Sequence, residues 1–279
     1  MLVIKNLTKK YNDLIAVNNL NLKINKGEFF GLLGPNGAGK TTTIRMISTL
    51  TPKTSGDIII NDKSMDRNLK EVKMKIGVVP QGNNLDVEMT AWENLELNGR
   101  IYNIPKDIRR KRINELLDFI ELSDRADKLV NEFSGGMKRK LMITRALMHN
   151  PELLLLDEPT VGLDAAARRK MWDLLKRLKE DGLTVLLTTH YIEEAEVLCD
   201  RVGLIDEGKL IRLDCPKSLI EGVGKYTVEY YENGTTKSEF FQKKEEAASF
   251  ADTLTGSINI RPSNLEDVFI KLTNKRVGE

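Results

Sequence analysis

The chain has 279 residues, 41% of them hydrophobic and 30% charged, which is enough apolar material for a core and excludes a disordered chain. Lys and Arg number 43 against 41 Asp and Glu, so there is no global field to hold nucleic acid or an acidic membrane, and any such binding must be local. The N-terminus MLVIKNLTKKYND lacks a signal-peptide apolar stretch, no run approaches the roughly 18 apolar residues of a membrane span, and two lone cysteines, Cys199 and Cys215, suit a reducing compartment.

The first 33 residues alternate short apolar runs and turns: LVIKNL, LIAV, LNLKI and EFFGLL. These are expected to be strands of a mainly antiparallel layer. SGDIIIND and KIGVVP are two further strand candidates. From Thr90 to His149 the pattern is helical; Thr90 and Glu93 have the spacing of a capping box, and INELLDFIEL carries apolar residues at helical spacing. LLLLDEP and LTVLLTTH are short apolar strands flanking the amphipathic helix MWDLLKRLKE, whose apolar face is Met171, Leu174, Leu175 and Leu178. Strand, helix, strand predicts a parallel sheet buried on both faces. RVGLIDEGKLIRLD predicts a closing hairpin. Beyond Pro216, a hairpin about Asn233-Gly234, a short helix EEAASFADTL, a strand SINIRP and a final helix NLEDVFIKLT, opened by a Ser263/Glu266 capping box, predict a small α/β appendage.

The strongest chemical signal is Gly34-Pro35-Asn36-Gly37-Ala38-Gly39-Lys40-Thr41, a strand-to-helix turn of the form G-x-x-x-x-G-K-[ST]. Triphosphate is a compact polyanion. Glycines let backbone N–H groups wrap it, and the helix N-terminus adds favourable potential. Lys40 is expected to reach the β- and γ-phosphates and the Thr41 hydroxyl to ligate Mg²⁺; Asn36, Gly37, Ala38, Gly39 and Thr42 complete the expected nucleotide cradle. In Leu153-Leu154-Leu155-Leu156-Asp157-Glu158 a carboxylate emerges at a buried strand end, where Asp157 can hold Mg²⁺ opposite Thr41 and Glu158 can polarise an attacking water.

With Phe133-Ser134-Gly135-Gly136-Met137-Lys138 standing ahead of that strand, the chain resembles the nucleotide-binding subunit of an ABC transporter. The resemblance covers about residues 1 to 218. It implies an α/β fold: a P-loop NTPase ABC cassette with a RecA-like parallel sheet core, an antiparallel β layer and a helical insert at about 84–150, plus a small C-terminal accessory domain at 219–279. It also implies that Ser134, Gly135 and Gly136 face the γ-phosphate held by a second subunit, with Asp164 of Val161-Gly162-Leu163-Asp164 crossing the same interface. Met137 stands where the commonest signature has Gln. Tyr11 resembles the aromatic that stacks on adenine, and Gln81 the glutamine that touches Mg²⁺ and senses the membrane partner. His190 ends its strand level with Asp157 and is expected to position the water, with Glu158 as base.

The resemblance is strongest to drug-resistance and sodium-efflux exporters. It implies an ATPase using ATP and Mg²⁺, sandwiching nucleotide in a homodimer or heterodimer, and driving efflux through a separate membrane permease at the cytoplasmic face of the cell membrane. The segment from about Gln81 through the insert would touch the permease. A soluble ABC ATPase acting on ribosomes or nucleic acid is the alternative. The basic run Arg109-Arg110-Lys111-Arg112 is read as a solvated helical face rather than a nucleic-acid site, and His149 as a surface residue.

Overall fold

A computed structural model describes residues 1–232 and 234–273. The chain begins with β1 (Leu2–Tyr11) and β2 (Leu14–Ile24), paired antiparallel from Tyr11 opposite Leu14. LIAV and LNLKI, expected as two strands, form this single β2. Register shifts interrupt the ladder, and Asn6 and Asn19 take left-handed backbone at φ 49° and 54°, so the polar residues make bulges instead of a break. Then come β3 (Phe29–Leu33), α1 (Lys40–Ile47), β4 (Ser55–Ile60), the short β5 (Lys63–Ser64), α2 (Leu69–Lys73) and β6 (Ile76–Val79).

The helical stretch contains α3 (Ala91–Ile101), α4 (Lys106–Phe119) and α5 (Gly135–Leu147). The Thr90/Glu93 capping box forms, each side chain bonding the other's backbone N–H. Between α4 and α5 the chain is not α-helical: Glu121 turns left-handed and two single 3₁₀ turns follow. Next are β7 (Leu153–Asp157), α6 (Ala165–Glu180), β8 (Thr184–Thr189), α7 (Ile192–Leu198) and the hairpin of β9 (Arg201–Asp206) with β10 (Lys209–Asp214). The last part comprises α8 (Pro216–Val223), β11 (Tyr226–Glu232), β12 (Thr235–Phe241), α9 (Lys244–Ala251), β13 (Ile258–Pro262) and α10 (Leu265–Thr273). The expected turn residue Asn233 lies outside the described residues; Glu232 and Thr235 pair on either side of it.

Among the described residues three sheets form, in the orders β2-β1-β4-β5, β10-β9-β3-β8-β7-β6 and β12-β11-β13. The expectation that EFFGLL joins the antiparallel layer is corrected: β3 lies inside the second sheet, parallel to both β8 and β9. Its five residues are all buried, as a strand covered on two faces requires. Phe29 and Leu33 enter a core shared with the helices, whereas Phe30 and Leu32 enter a core shared with the antiparallel layer and α1. β7 divides likewise, Leu154 and Leu156 against Leu153 and Leu155. The sheet is thus fixed from both sides, and the C-terminal ends of β3, β6, β7 and β8 reach one edge.

The C-terminal part has a small core of Val228, Ala247 and Ala251, while Leu219, Leu265, Val268 and Phe269 belong to the large core. The predicted Ser263/Glu266 cap is displaced by one residue. Asn264 and Asp267 exchange the two capping bonds, and the Ser263 hydroxyl instead pairs with Thr227. Asp267 also takes the Arg261 guanidinium, an interaction Glu266 does not make.

Candidate functional site

The loop between β3 and α1 wraps closely on its own scaffold. A Cβ at Gly34 would lie 2.1 Å from the Ile205 carbonyl oxygen, and one at Gly39, where φ is 101°, would lie 2.5 Å from that of Ala16. Only glycine fits there. Ala38 is buried, Asn36 and Gly37 are exposed, and Thr41 and Thr42 are half-buried at the start of α1, whose first turn carries no acid. The loop therefore presents an anion-favouring helix end. Lys40 Nζ donates to the carbonyls of Gly34 and Pro35 at 2.8 and 2.9 Å. Burial pushes its ammonium below the usual lysine range, opposed by the carboxylates of Glu158 and Asp157. Tyr11, 42% exposed, ends β1 at the turn into β2, and β2 then brings Ala16 against Gly39.

Asp157 and Glu158 diverge at the end of β7. Asp157 Oδ1 accepts from Thr41 Oγ1 at 3.1 Å and from Thr188 Oγ1 at 2.7 Å. Glu158 is buried, with a left-handed backbone at φ 48°, and its N–H donates to the Thr188 carbonyl at 3.0 Å. Its Oε2 accepts from Gln81 Nε2 at 3.1 Å, and its Oε1 lies 3.7 Å from Lys40 Nζ. His190 Nδ1 is 3.2 Å from the same Oε1, close enough for an ion pair when protonated but outside hydrogen-bond geometry. Lys40, Gln81, Asp157, Glu158 and His190 thus converge from four separate segments.

The oxygens of Thr41, Asp157 and Gln81 are hard donors of the kind Mg²⁺ accepts. Among the described residues no cluster of three His, Cys, Asp or Glu could hold a metal by itself. A cation at this place fits only with nucleotide oxygens completing its shell.

A second cluster lies at the start of α5. Ser134 caps the helix, accepting from the Met137 N–H at 3.3 Å, and Asp164 caps α6, accepting from the Ala167 N–H at 2.8 Å. Ser134, Gly136 and Asp164 line one cavity of about 280 Å³ with Met137, Lys140 and Lys170. Ser134 and Gly135 are exposed. A Cβ at Gly135 would meet nothing nearer than 3.9 Å, and one at Gly136 nothing nearer than 3.5 Å. The packing of this chain therefore does not demand glycine at either position.

Two residues escaped the sequence reading. Thr188 holds Asp157, and its signal was the unusual Thr188-Thr189 pair at the end of an apolar strand. Arg139 is buried and donates to the carbonyls of Pro80 and Glu158; one arginine in MKRKLM carries no such signal. Two expectations are corrected. His149 is half-buried, stacked on Tyr102 at 3.8 Å with Nε2 3.0 Å from the Ile76 carbonyl oxygen, and burial lowers its pKa. Arg109 is not solvated but buried against Glu96 and the Ile104 carbonyl, so the basic run is not one continuous exposed face.

Comparison with known proteins accords with this geometry. Residues 17–161 match the family model described as ABC transporter. Nod factor export ATP-binding protein I of Cupriavidus metallidurans is 41% identical over 301 residues, covering 100% of this chain and 99% of its own. The linearmycin resistance ATP-binding protein LnrL of Bacillus subtilis is 44% identical over 228 residues, covering 82% of this chain and 73% of its own. Among solved structures, a dimeric ATP-binding cassette in a post-hydrolysis state with ADP and Pi superposes with a TM-score of 0.69 at 36% identity, over 77% of this chain and 98% of the other.

Proposed function

The chain belongs to the ABC transporter family, as an ATP-binding and ATP-hydrolysing subunit, and from that premise we propose that it drives export through a separate membrane permease. Two relatives that cover most of this chain are an export ATP-binding protein and a resistance ATP-binding protein, which supports the outward direction. No helix among the described residues is long and apolar enough to cross a membrane, and we place the path for cargo in the separate permease. We assign its working position to the cytoplasmic face of that membrane. Residues 1–218 carry the nucleotide chemistry and 219–279 form an accessory unit.

The observation that carries the mechanism is the Glu158 carboxylate, gripped by Gln81 one residue beyond an Asp157 that faces Thr41. The loop from Asn36 to Thr42 cradles the phosphates, and Tyr11 stacks on the base. Thr41, Asp157 and Gln81 would hold Mg²⁺, which when bound would supply positive charge beside the phosphates. Glu158 accepts the proton of the attacking water, His190 orients that water, and Lys40 stabilises charge on the transferred group.

The site closes between two chains. Ser134, Gly135 and Gly136 of one cover the γ-phosphate held by the other, with Asp164 at the seam. Glycine at Gly135 and Gly136, unneeded by this chain's own packing, supports a close approach by something outside it. Closure excludes bulk water, and hydrolysis reopens the pair.

The test is Glu158→Gln. This variant is expected to bind ATP and accumulate as a dimer while turnover falls by about 100-fold or more. Hydrolysis at the parent rate would refute the assignment.

A further inference from the structure

We propose that Arg139 is a positioning residue that links the Ser134 helix to Glu158 of the same chain, an inference that rests on the function just assigned. Arg139 stands on α5, five residues beyond Ser134, and is 6% exposed. Its Nη1 donates to the Pro80 carbonyl at 2.8 Å and its Nη2 to the Glu158 carbonyl at 2.9 Å. Pro80 precedes Gln81, and Gln81 Nε2 donates to Glu158 Oε2 at 3.1 Å. A ring closes from α5 through the loop after β6 to the glutamate and back to α5.

Two features point to positioning rather than to stability alone. Glu158 occupies a left-handed conformation at φ 48°, which a non-glycine residue keeps only when its surroundings enforce it. Both of its backbone groups are held: the N–H by the Thr188 carbonyl and the C=O by Arg139. The carboxylate therefore projects from a backbone fixed at both ends. A buried guanidinium is also costly to desolvate, and an apolar side chain of similar size would often serve stability equally well. The planar fork aims N–H donors on two nitrogens, at a fixed spacing, at two carbonyls from different loops. A lysine can also donate to two carbonyls, as Lys40 does, but from one nitrogen, so it does not fix the spacing between them.

Movement of α5 when Ser134 engages a partner's nucleotide is thereby passed to Gln81 and Glu158. Assembly of the interface and alignment of the base become one event.

The test compares Arg139→Met and Arg139→Lys in the full chain, each alone and with Gln81→Ala, by steady-state ATPase and by ATP affinity at equilibrium. Arg139→Met is expected to lower kcat about 10-fold or more while ATP Kd changes less than about threefold, and Arg139→Lys to recover part of the loss. Because Arg139 and Gln81 act on one group, the Arg139→Met loss should shrink in the Gln81→Ala background. A kcat within about threefold of the parent, a Kd that weakens in proportion to kcat, or strictly additive losses would overturn the inference. Should Arg139→Met not fold, Arg139→Lys decides: reduced kcat at unchanged Kd upholds the inference, and parent-like kcat overturns it. Normal turnover in the Arg139 variants while Glu158→Gln is inactive overturns this inference alone; normal turnover in Glu158→Gln removes the reading beneath it as well.

Discussion

Gln81 Nε2 donates to Glu158 Oε2 at 3.1 Å, so residues 77 positions apart in sequence meet just beyond the ends of two adjacent parallel strands. Gln81 leads from β6 into the helical segment, and Glu158 leads from β7 toward the loop that carries Asp164. The contact places the candidate base at the junction of the helical part and the sheet.

Thr188 orients Asp157 from the neighbouring strand through a 2.7 Å hydrogen bond. Thr188→Val keeps the shape and removes the donor. Because a partner that orients a metal ligand influences affinity, the Mg²⁺ concentration for half-maximal ATPase should rise about tenfold. A Mg²⁺ titration at fixed ATP reads this directly, and an unchanged midpoint would show that Thr188 does not tune the cation.

Gly135→Ala separates folding from assembly. The added methyl meets nothing within 3.9 Å in this chain, and alanine suits a helix better, so urea denaturation should show stability unchanged or raised by up to about 1 kcal/mol. ATP-dependent dimerisation and turnover should nevertheless fall, because the methyl intrudes where the partner's nucleotide is expected. Full activity would mean that no close approach occurs here.

Glu96 joins α3 to α4 by accepting from Arg109, which holds its carboxyl down at about 2, helped by Arg100. A carboxyl depressed in the folded state adds stability that is fully present above its unfolded value near 4.5 and is lost as pH falls from there toward about 2. Glu96→Gln should therefore cost about 1–2 kcal/mol at pH 7 and flatten the acid dependence in that window, as read by denaturant unfolding at several pH values.

Much of this was legible in the residues because local rules decided it. The glycines of the Gly34–Thr41 loop, the four leucines before Asp157 and the Thr90/Glu93 cap each form as their spacing predicts. What could not be read depended on tertiary partners. EFFGLL is as apolar as an edge strand could be, and only its neighbours β8 and β9 show that it is central. Arg109 looks like the exposed Arg110 beside it, and Arg139 like one more cation between Lys138 and Lys140; Glu96 and two distant carbonyls draw the two arginines inside. The shift from Ser263 to Asn264 as cap was set by Arg261, which commits Asp267 to that corner.

The most direct measurement is ATPase activity in mixtures of two inactive variants, Ser134→Arg and Lys40→Ala. Each alone should lack a working site, because in the proposed dimer every site takes Lys40 from one chain and Ser134 from the other. Random mixing at equal amounts makes half the dimers hybrid, each with one intact site, so activity should return to roughly a quarter of the parent's if the sites are independent. A mixture no more active than its two components would contradict a nucleotide shared between two copies.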